Sequence, residues 1–235
     1  MTDQTEFFRA LEADVRRMTL EQSRVVRARK GQTVLSHGVH STEVFFVLEG
    51  SLIVMLYSSD GREVSLRDLA VGEMFGELAA IDGKSRSASI VAQDDSRLLA
   101  VSQTAFATAV SSTPAAATWL NRHLAAQIRA QTDRIFELSA LNVRARLHCE
   151  LLRLARNTLG QPGAVQIRPA PTHAALASRI GANREAVTRE MRALVERNIL
   201  KGGRRCLEFL DLAKLENAVQ RLSADGPSSP QSDHQ

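Results

Sequence analysis

The sequence predicts an α+β chain: an N-terminal, jelly-roll-like β-roll, one long helix, and a C-terminal winged helix-turn-helix. Three observations predict it. Between residues 26 and 109 short β-rich runs recur, separated by glycine-bearing turns. Further on, Leu124, Ile128, Gln131, Ile135, Leu138 and Asn142 step by four and three, the spacing of a two-stranded coiled-coil seam. After residue 170, two short helical stretches flank Gly181 and lead into a hairpin containing Gly202-Gly203.

The composition bounds this reading. A length of 235 residues suits one large domain or two small ones. With 44% apolar and 24% charged residues, the chain is neither mainly disordered nor a low-complexity fibre. Its longest apolar runs, 44–48 and 52–57, fall far short of the ~20 residues needed to span a bilayer. The acidic N-terminus lacks the apolar core of a signal peptide. Cys149 and Cys206 cannot form a disulfide framework or a four-ligand zinc site. A cytoplasmic chain with no membrane partner is expected. Net charge is +4 but uneven: residues 1–140 carry 15 basic and 17 acidic side chains, residues 141–221 carry 15 and 7, and residues 222–235 add two aspartates. The basic segment is either a solvated arginine-rich face or the footprint of a polyanion.

In chain order, Phe7, Phe8, Leu11, Val15 and Met18 give residues 6–24 the period of an amphipathic helix. Strands are predicted at 32–35, 44–48, 51–57, 64–68, 87–92 and 97–101, with turns at 36–38, 49–50, 60–61, 71–72 and 82–83. Thr113 and Pro114 open the long helix as cap and first turn. That helix either lies on its own domain or pairs with a second copy, and its near-strict seam favours a homodimer. Asn142 can cap a second helix, 143–157. A loop at 159–163, a strand at 165–168, helices at 172–180 and 183–198 and a hairpin at 200–210 follow. Residues 222–235, rich in Pro and Ser, read as a disordered tail. The predicted divisions are 1–112, 113–141, 142–221 and 222–235.

Within the helix-turn-helix, Leu176 and Ile180 point inward, Ala177 allows close approach, and Val187, Met191, Leu194 and Val195 form the facing stripe. Arg184, Glu185, Thr188 and Arg189 are the outward residues at the start of the second helix. Arginine can pair bidentately with guanine O6 and N7, and glutamate can accept from cytosine N4. The competing reading is an αα-hairpin with a solvated charged face; the basic surroundings and the hairpin favour a DNA-binding winged helix.

In the β-rich half, Gly76-Glu77-Leu78 precedes Arg86-Ser87 by a short loop. Glycine lets backbone N–H groups approach an anion, arginine offers a fork for phosphate, and Ser87 adds a hydroxyl. Glu77 would repel phosphate, so a sugar hydroxyl is its natural partner. Carboxylate and arginine together describe a nucleotide. Gln131, polar within an apolar seam, has two readings: a register-setting residue, or, with Thr132, a reader of a base edge.

Taken together, these residues resemble the cyclic-AMP receptor protein/FNR superfamily of bacterial transcription regulators, over about residues 26–212. The resemblance implies a cyclic nucleotide, cyclic AMP or cyclic GMP, as effector. It places Gly76 and Leu78 against the ligand, Glu77 on the ribose 2′-hydroxyl, and Arg86 and Ser87 on the cyclic phosphate. Gln131 and Thr132 fall where the family's dimer helices touch the purine. Arg184, Glu185 and Arg189 look like the triad that reads inverted TGTGA half-sites, and Thr172 and Asn183 match phosphate-contact positions. Double-stranded DNA, a second copy of the chain and RNA polymerase are the implied partners. Gln131 replaces a threonine of the family's cyclic-AMP receptors, which leaves the base open, and Arg67 lies near the implied purine pocket. Without an N-terminal cysteine cluster an iron–sulfur sensor is not expected. Arg86→Ala is expected to weaken the nucleotide response and leave the fold intact.

Two other readings remain. The roll could serve another effector, or none. An enzyme is disfavoured: His37 and His40 only loosely imitate a cupin motif, and no catalytic constellation or metal site stands out.

Overall fold

The computed structural model describes residues 5–58, 63–156, 165–203 and 206–224, with side chains of the last helix described through residue 219. The chain divides into two compact units, 1–129 and 130–235.

The first unit opens with α1 (Glu6–Ala10) and α2 (Ala13–Glu21), followed by β1 (Ser23–Ala28), β2 (Thr33–Leu35), β3 (Val44–Glu49), β4 (Leu52–Tyr57), β5 (Glu63–Leu69) and β6 (Met74–Phe75). A short α3 (Glu77–Asp82), β7 (Ser89–Ala92), β8 (Ser96–Val101), α4 (Gln103–Ser112) and the first part of α5 (Pro114–Ala140) complete it. The strands form two antiparallel sheets of order β1-β8-β3-β6 and β2-β7-β4-β5. β3 explains why residues 44–48 read as an unbroken apolar run. Phe45 and Val47 pack into the core shared with Leu52, Leu69 and Leu98, while Val44, Phe46 and Leu48 pack against α1 and α4. A strand covered on both faces has no polar alternation to show. Phe7 sits 5.3 Å from Phe46 and 5.4 Å from both Phe106 and Trp119, ring centre to ring centre. These aromatics fasten the helices to the roll.

The expected helix over 6–24 is two helices, because Leu11 and Glu12 are extended. Phe7, Phe8 and Leu11 are buried as expected, whereas Met18 is exposed. Residues 23 and 24 instead begin β1, an edge strand whose Arg24 and Arg27 hide its period. Helix α4 occupies the end of the stretch expected to be β-rich, capped by the Ser102 hydroxyl, which accepts from the Ala105 N–H at 3.2 Å. Thr113 stands at the head of α5 as expected, but its carbonyl, not its hydroxyl, receives the Ala116 and Ala117 N–H groups.

The second unit contains the end of α5, then α6 (Val143–Arg156), β9 (Gln166–Ile167), α7 (His173–Ile180), α8 (Arg184–Glu196), β10 (Leu200–Gly202), β11 (Leu207–Phe209) and α9 (Leu212–Ala224). A small sheet of order β10-β11-β9 forms the wing. Asn142 caps α6, its side-chain oxygen accepting from the Ala145 N–H at 2.9 Å. The cap ends the seam pattern: Asn142 lies between two helices, not on the face that Ile128 and Ile135 share. Leu147, Leu151, Leu176, Ile180, Val187 and Leu194 are fully buried together. Val195, expected on this stripe, is exposed. Helix α9 was not predicted and takes in residues 222–224 of the expected tail. Asn157, the turn at 60–61, the loop at 159–163, residues 204–205 of the hairpin and the tail from 225 lie outside the described residues.

Candidate nucleotide site and nucleic-acid interface

In the first unit, β6 delivers the chain to Gly76, whose φ of 82° is left-handed. A Cβ there would lie 2.7 Å from Arg86 Nη1 and 2.9 Å from the Glu43 carbonyl oxygen. Conformation and space both demand glycine. Gly76 starts α3, and Glu77 follows with only 4% of its surface exposed.

Arg86 is 3% exposed. Its Nε donates to Ser41 Oγ at 2.8 Å, Nη1 to the Gly76 carbonyl at 2.7 Å, and Nη2 to the Glu43 carbonyl at 2.7 Å. These bonds account for three of five guanidinium N–H groups. Burial lowers the Arg86 pKa, against the opposing pull of Glu43 and Glu77. Arg86 therefore ties the loop before β3 to the start of α3, a structural role that sequence reasoning did not assign. Its loss would touch the fold, contrary to the expectation stated for Arg86→Ala. Leu78 and Ser87 are exposed, as are the loop residues His37 and His40. Arg67 pairs with Glu73 at 3.0 Å.

Sequence reasoning also missed two residues of α5. Gln127 Nε2 donates to Glu77 Oε1 at 3.3 Å and lies 2.6 Å from His123 Nε2. The signal was present: His123, Gln127 and Gln131 recur every four residues, so they share one helix face. Burial lowers the His123 pKa; Glu77 and Glu73 oppose that shift and Arg67 reinforces it. Gln131 and Thr132, on the part of α5 within the second unit, are both exposed.

In the second unit, α7 ends at Gly181, which has a φ of 59°, and the chain re-enters a helix at Asn183. Leu176, Ala177 and Ile180 are buried as expected against Val187, Met191 and Leu194. Thr172 and Asn183 serve as N-caps, accepting from the Ala175 and Ala186 N–H groups at 3.0 and 2.8 Å. Each still carries a donor suited to phosphate, the Thr172 hydroxyl proton and the Asn183 amide N–H₂. Arg184, Glu185 and Arg189 are exposed on α8. Thr188 is half-buried; its hydroxyl donates to the Arg184 carbonyl at 2.9 Å and lies 2.9 Å from His173 Nδ1. That engagement leaves the Thr188 methyl group, which suits a thymine methyl. Glu190, one position beyond Arg189, meets the fully buried His148 at 2.8 Å and Arg144 at 3.1 Å. Burial raises the Glu190 pKa, but the hydrogen bond from His148 and nearby positive charge outweigh it and hold the carboxyl below its usual range.

A roll with a buried carboxylate and guanidinium, followed by a winged helix-turn-helix, defines a class: DNA-binding regulators with a cyclic-nucleotide-type sensor domain. Comparison with known proteins agrees. Residues 25–113 match the cyclic nucleotide-binding domain family, and residues 145–218 match the Crp-like helix-turn-helix domain family. The chain is 32% identical over 194 residues to the cyclic AMP receptor protein of Thermus thermophilus, covering 83% of this chain and 87% of that one. FixK2 from Bradyrhizobium japonicum shares the fold with a TM-score of 0.74 at 21% identity, over 83% of this chain and 96% of that one. So does the c-di-GMP responsive global regulator CLP of Xanthomonas campestris, with a TM-score of 0.70 at 22% identity, over 84% and 99%. The chain belongs to the CRP/FNR superfamily of transcription regulators. No helix among the described residues is long and apolar enough to cross a membrane.

Proposed function

We propose that the protein is a homodimeric regulator activated by a cyclic nucleotide, with cyclic AMP as first choice and cyclic GMP as second. In this reading it binds TGTGA-like inverted repeats and acts with RNA polymerase. One observation carries the nucleotide reading: Glu77 and Arg86, both almost fully buried, flank the left-handed Gly76. A carboxylate and a guanidinium are rarely buried without a partner chemistry that uses them. Glu77 accepts a sugar hydroxyl, the two uncommitted N–H groups of Arg86 serve the phosphate, and Gly76, Leu78 and Ser87 line the ligand. Gln131 and Thr132 are the proposed readers of the base. On α8, Arg184, Glu185, Thr188 and Arg189 read bases, while Thr172 and Asn183 hold phosphates. The dimer reading rests on α5, where Ile128 and Ile135 are each 66% exposed and Phe136 and Leu138 stand beside them. Such an apolar stripe on a long helix fits pairing with a second copy. Ligand would shift the dimer between two packings only by its differential affinity for them.

A second reading is favoured by the three internal hydrogen bonds of Arg86. If those bonds persist, the roll is a dimer scaffold or senses another effector. CLP, of the same fold, is a c-di-GMP responsive regulator. Fluorescence anisotropy on a duplex bearing an inverted TGTGA repeat separates the two. The first reading requires tight binding only with cyclic AMP or cyclic GMP. Equal binding with and without nucleotide selects the second.

A further inference from the structure

Three side chains of α5 form a column that ends on Glu77. The indole of Trp119 and the ring of His123 stack with centres 5.1 Å apart and planes at 14°. One turn on, the single nitrogen Gln127 Nε2 lies 2.6 Å from His123 Nε2 and 3.3 Å from Glu77 Oε1. An amide nitrogen has two hydrogens to give and accepts none. Both contacts are met at once only if His123 Nε2 carries no proton and accepts. The orientation of Gln127 toward Glu77 thus depends on the charge state of His123.

The groups facing His123 are Glu77 on α3, Arg67 on β5 and Glu73 just before β6. Glu73 is already engaged, with Arg67 at 3.0 Å and with the Ala70 N–H at 2.6 Å. Burial and Arg67 disfavour a positive ring more than the two carboxylates favour it. The ring is therefore held neutral further down the pH scale than an ordinary imidazole.

We propose that His123 is a positioning residue: through Gln127 it holds the Glu77 carboxylate for a sugar hydroxyl, and its protonation weakens nucleotide binding. The inference rests on the reading of Glu77 as the sugar acceptor. Protonation places an N–H on Nε2 against the amide N–H₂, donor against donor. The amide must turn over so that Oε1 accepts from His123. Oε1 then also faces Glu77, acceptor against acceptor, and the carboxylate loses its donor. One proton is taken up and no covalent bond changes.

Linkage makes the effect reciprocal: if protonation weakens nucleotide binding, bound nucleotide must oppose protonation. Trp119 is the sole tryptophan of the chain, and a stacked imidazolium quenches indole emission more strongly than imidazole does. The experiment is therefore a pH titration of Trp119 fluorescence on the full chain, with and without saturating cyclic AMP, beside calorimetric cyclic AMP affinities at pH 8 and 5.5. The expected result is weaker binding at pH 5.5 than at pH 8, a loss that approaches about five-fold, the weight of one net hydrogen bond, only below both midpoints. The fluorescence midpoint should move down by about 0.7 pH unit with nucleotide, which is the same five-fold ratio. His123→Gln keeps a neutral acceptor for Gln127, so its affinity should be flat with pH and its fluorescence transition absent. His123→Phe keeps the stack but not the acceptor, and should bind weakly at both pH values. Binding that falls equally with pH in wild type and H123Q, or a midpoint that ignores saturating nucleotide, overturns the proposal. Calorimetry that detects neither cyclic AMP nor cyclic GMP binding at either pH overturns instead the reading of the site, and the proposal with it.

Discussion

Gly76 and Arg86 show how one side chain can be fixed by two demands. The left-handed φ of Gly76 and the 2.7 Å approach of Arg86 Nη1 to the place of a Cβ are independent reasons for glycine. Gly76→Ala should therefore lose about 1–3 kcal/mol, since backbone strain and displacement of a bonded guanidinium add; chemical denaturation would measure it. Arg86→Ala should cost a similar amount, because it leaves the Gly76 and Glu43 carbonyls and Ser41 Oγ without their donor. A lost nucleotide response in that variant is informative only beside its melting curve. Arg86→Lys is a cleaner probe. It keeps the charge and up to three donors but not the fork, so it should retain more stability than alanine while still lacking bidentate contact with phosphate. Equal melting temperatures for the alanine variant and wild type would mean that the three bonds contribute nothing.

Helices α5, α6 and α7 meet in the second unit at Glu150, which is 2% exposed. Its carboxylate pairs with Arg153 on the same helix, with Arg179 on α7 at 3.3 Å and with Arg134 on α5 at 3.7 Å. Glu137 on α5 adds bonds to Arg134 at 2.9 Å and to Arg153 at 2.6 Å. Removing the acid at the centre leaves partly buried guanidinium groups facing one another, so Glu150→Ala should cost about 3 kcal/mol. Denaturant titration of the full chain, followed by a helix-turn-helix probe, would show it as an early transition. A wild-type profile would reduce the cluster to surface charge. The i,i+3 pairs Arg134–Glu137 and Glu150–Arg153 are local, but their union into one cluster was not readable in the sequence, because the bond from Arg179 to Glu150 spans 29 positions. What was readable had a local cause. The Gly181 turn and the Asn142 cap act within a few residues, and the buried stripes of α7 and α8 follow helical period. Edge strand β1, two-residue β6 and six-residue α3 are too charged or too short for any period to show. Helix α9 carries a local signal as well, an aspartate at 211 ahead of Leu212, Leu215 and Val219, and in the structure Asp211 Oδ1 accepts from the Lys214 N–H. In the candidate site, Glu77, Arg86 and Gly76 were legible as a motif. Ser41 and Glu43 were not, because they lie far from that motif in the chain, and His123 and Gln127 showed only through their four-residue step to Gln131.

Charge and apolar surface are distributed so that each predicts something about the whole assembly. Positive charge is concentrated in residues 141–221, at net +8, while the exposed large apolar residues of α5 are Ile128, Ile135, Phe136 and Leu138. If α5 pairs with a second copy, one DNA duplex meets two basic segments, about one helical turn or ~34 Å apart. The salt dependence of binding then reports the number of segments engaged. The logarithm of affinity falls with the logarithm of salt at a slope of roughly −0.9 per neutralised phosphate. Ile128→Asp with Ile135→Asp sets like charges facing each other across a paired seam, which should yield a monomer by sedimentation. The changes lie outside the helix-turn-helix core, so α7 and α8 should keep their fold. The variant should then bind a single half-site with about half the wild-type salt slope, and bind an inverted repeat at least a hundred-fold more weakly. A monomer that retained the full slope would mean that one basic segment makes all the phosphate contacts. A variant that stayed dimeric would move the pairing surface off this face of α5.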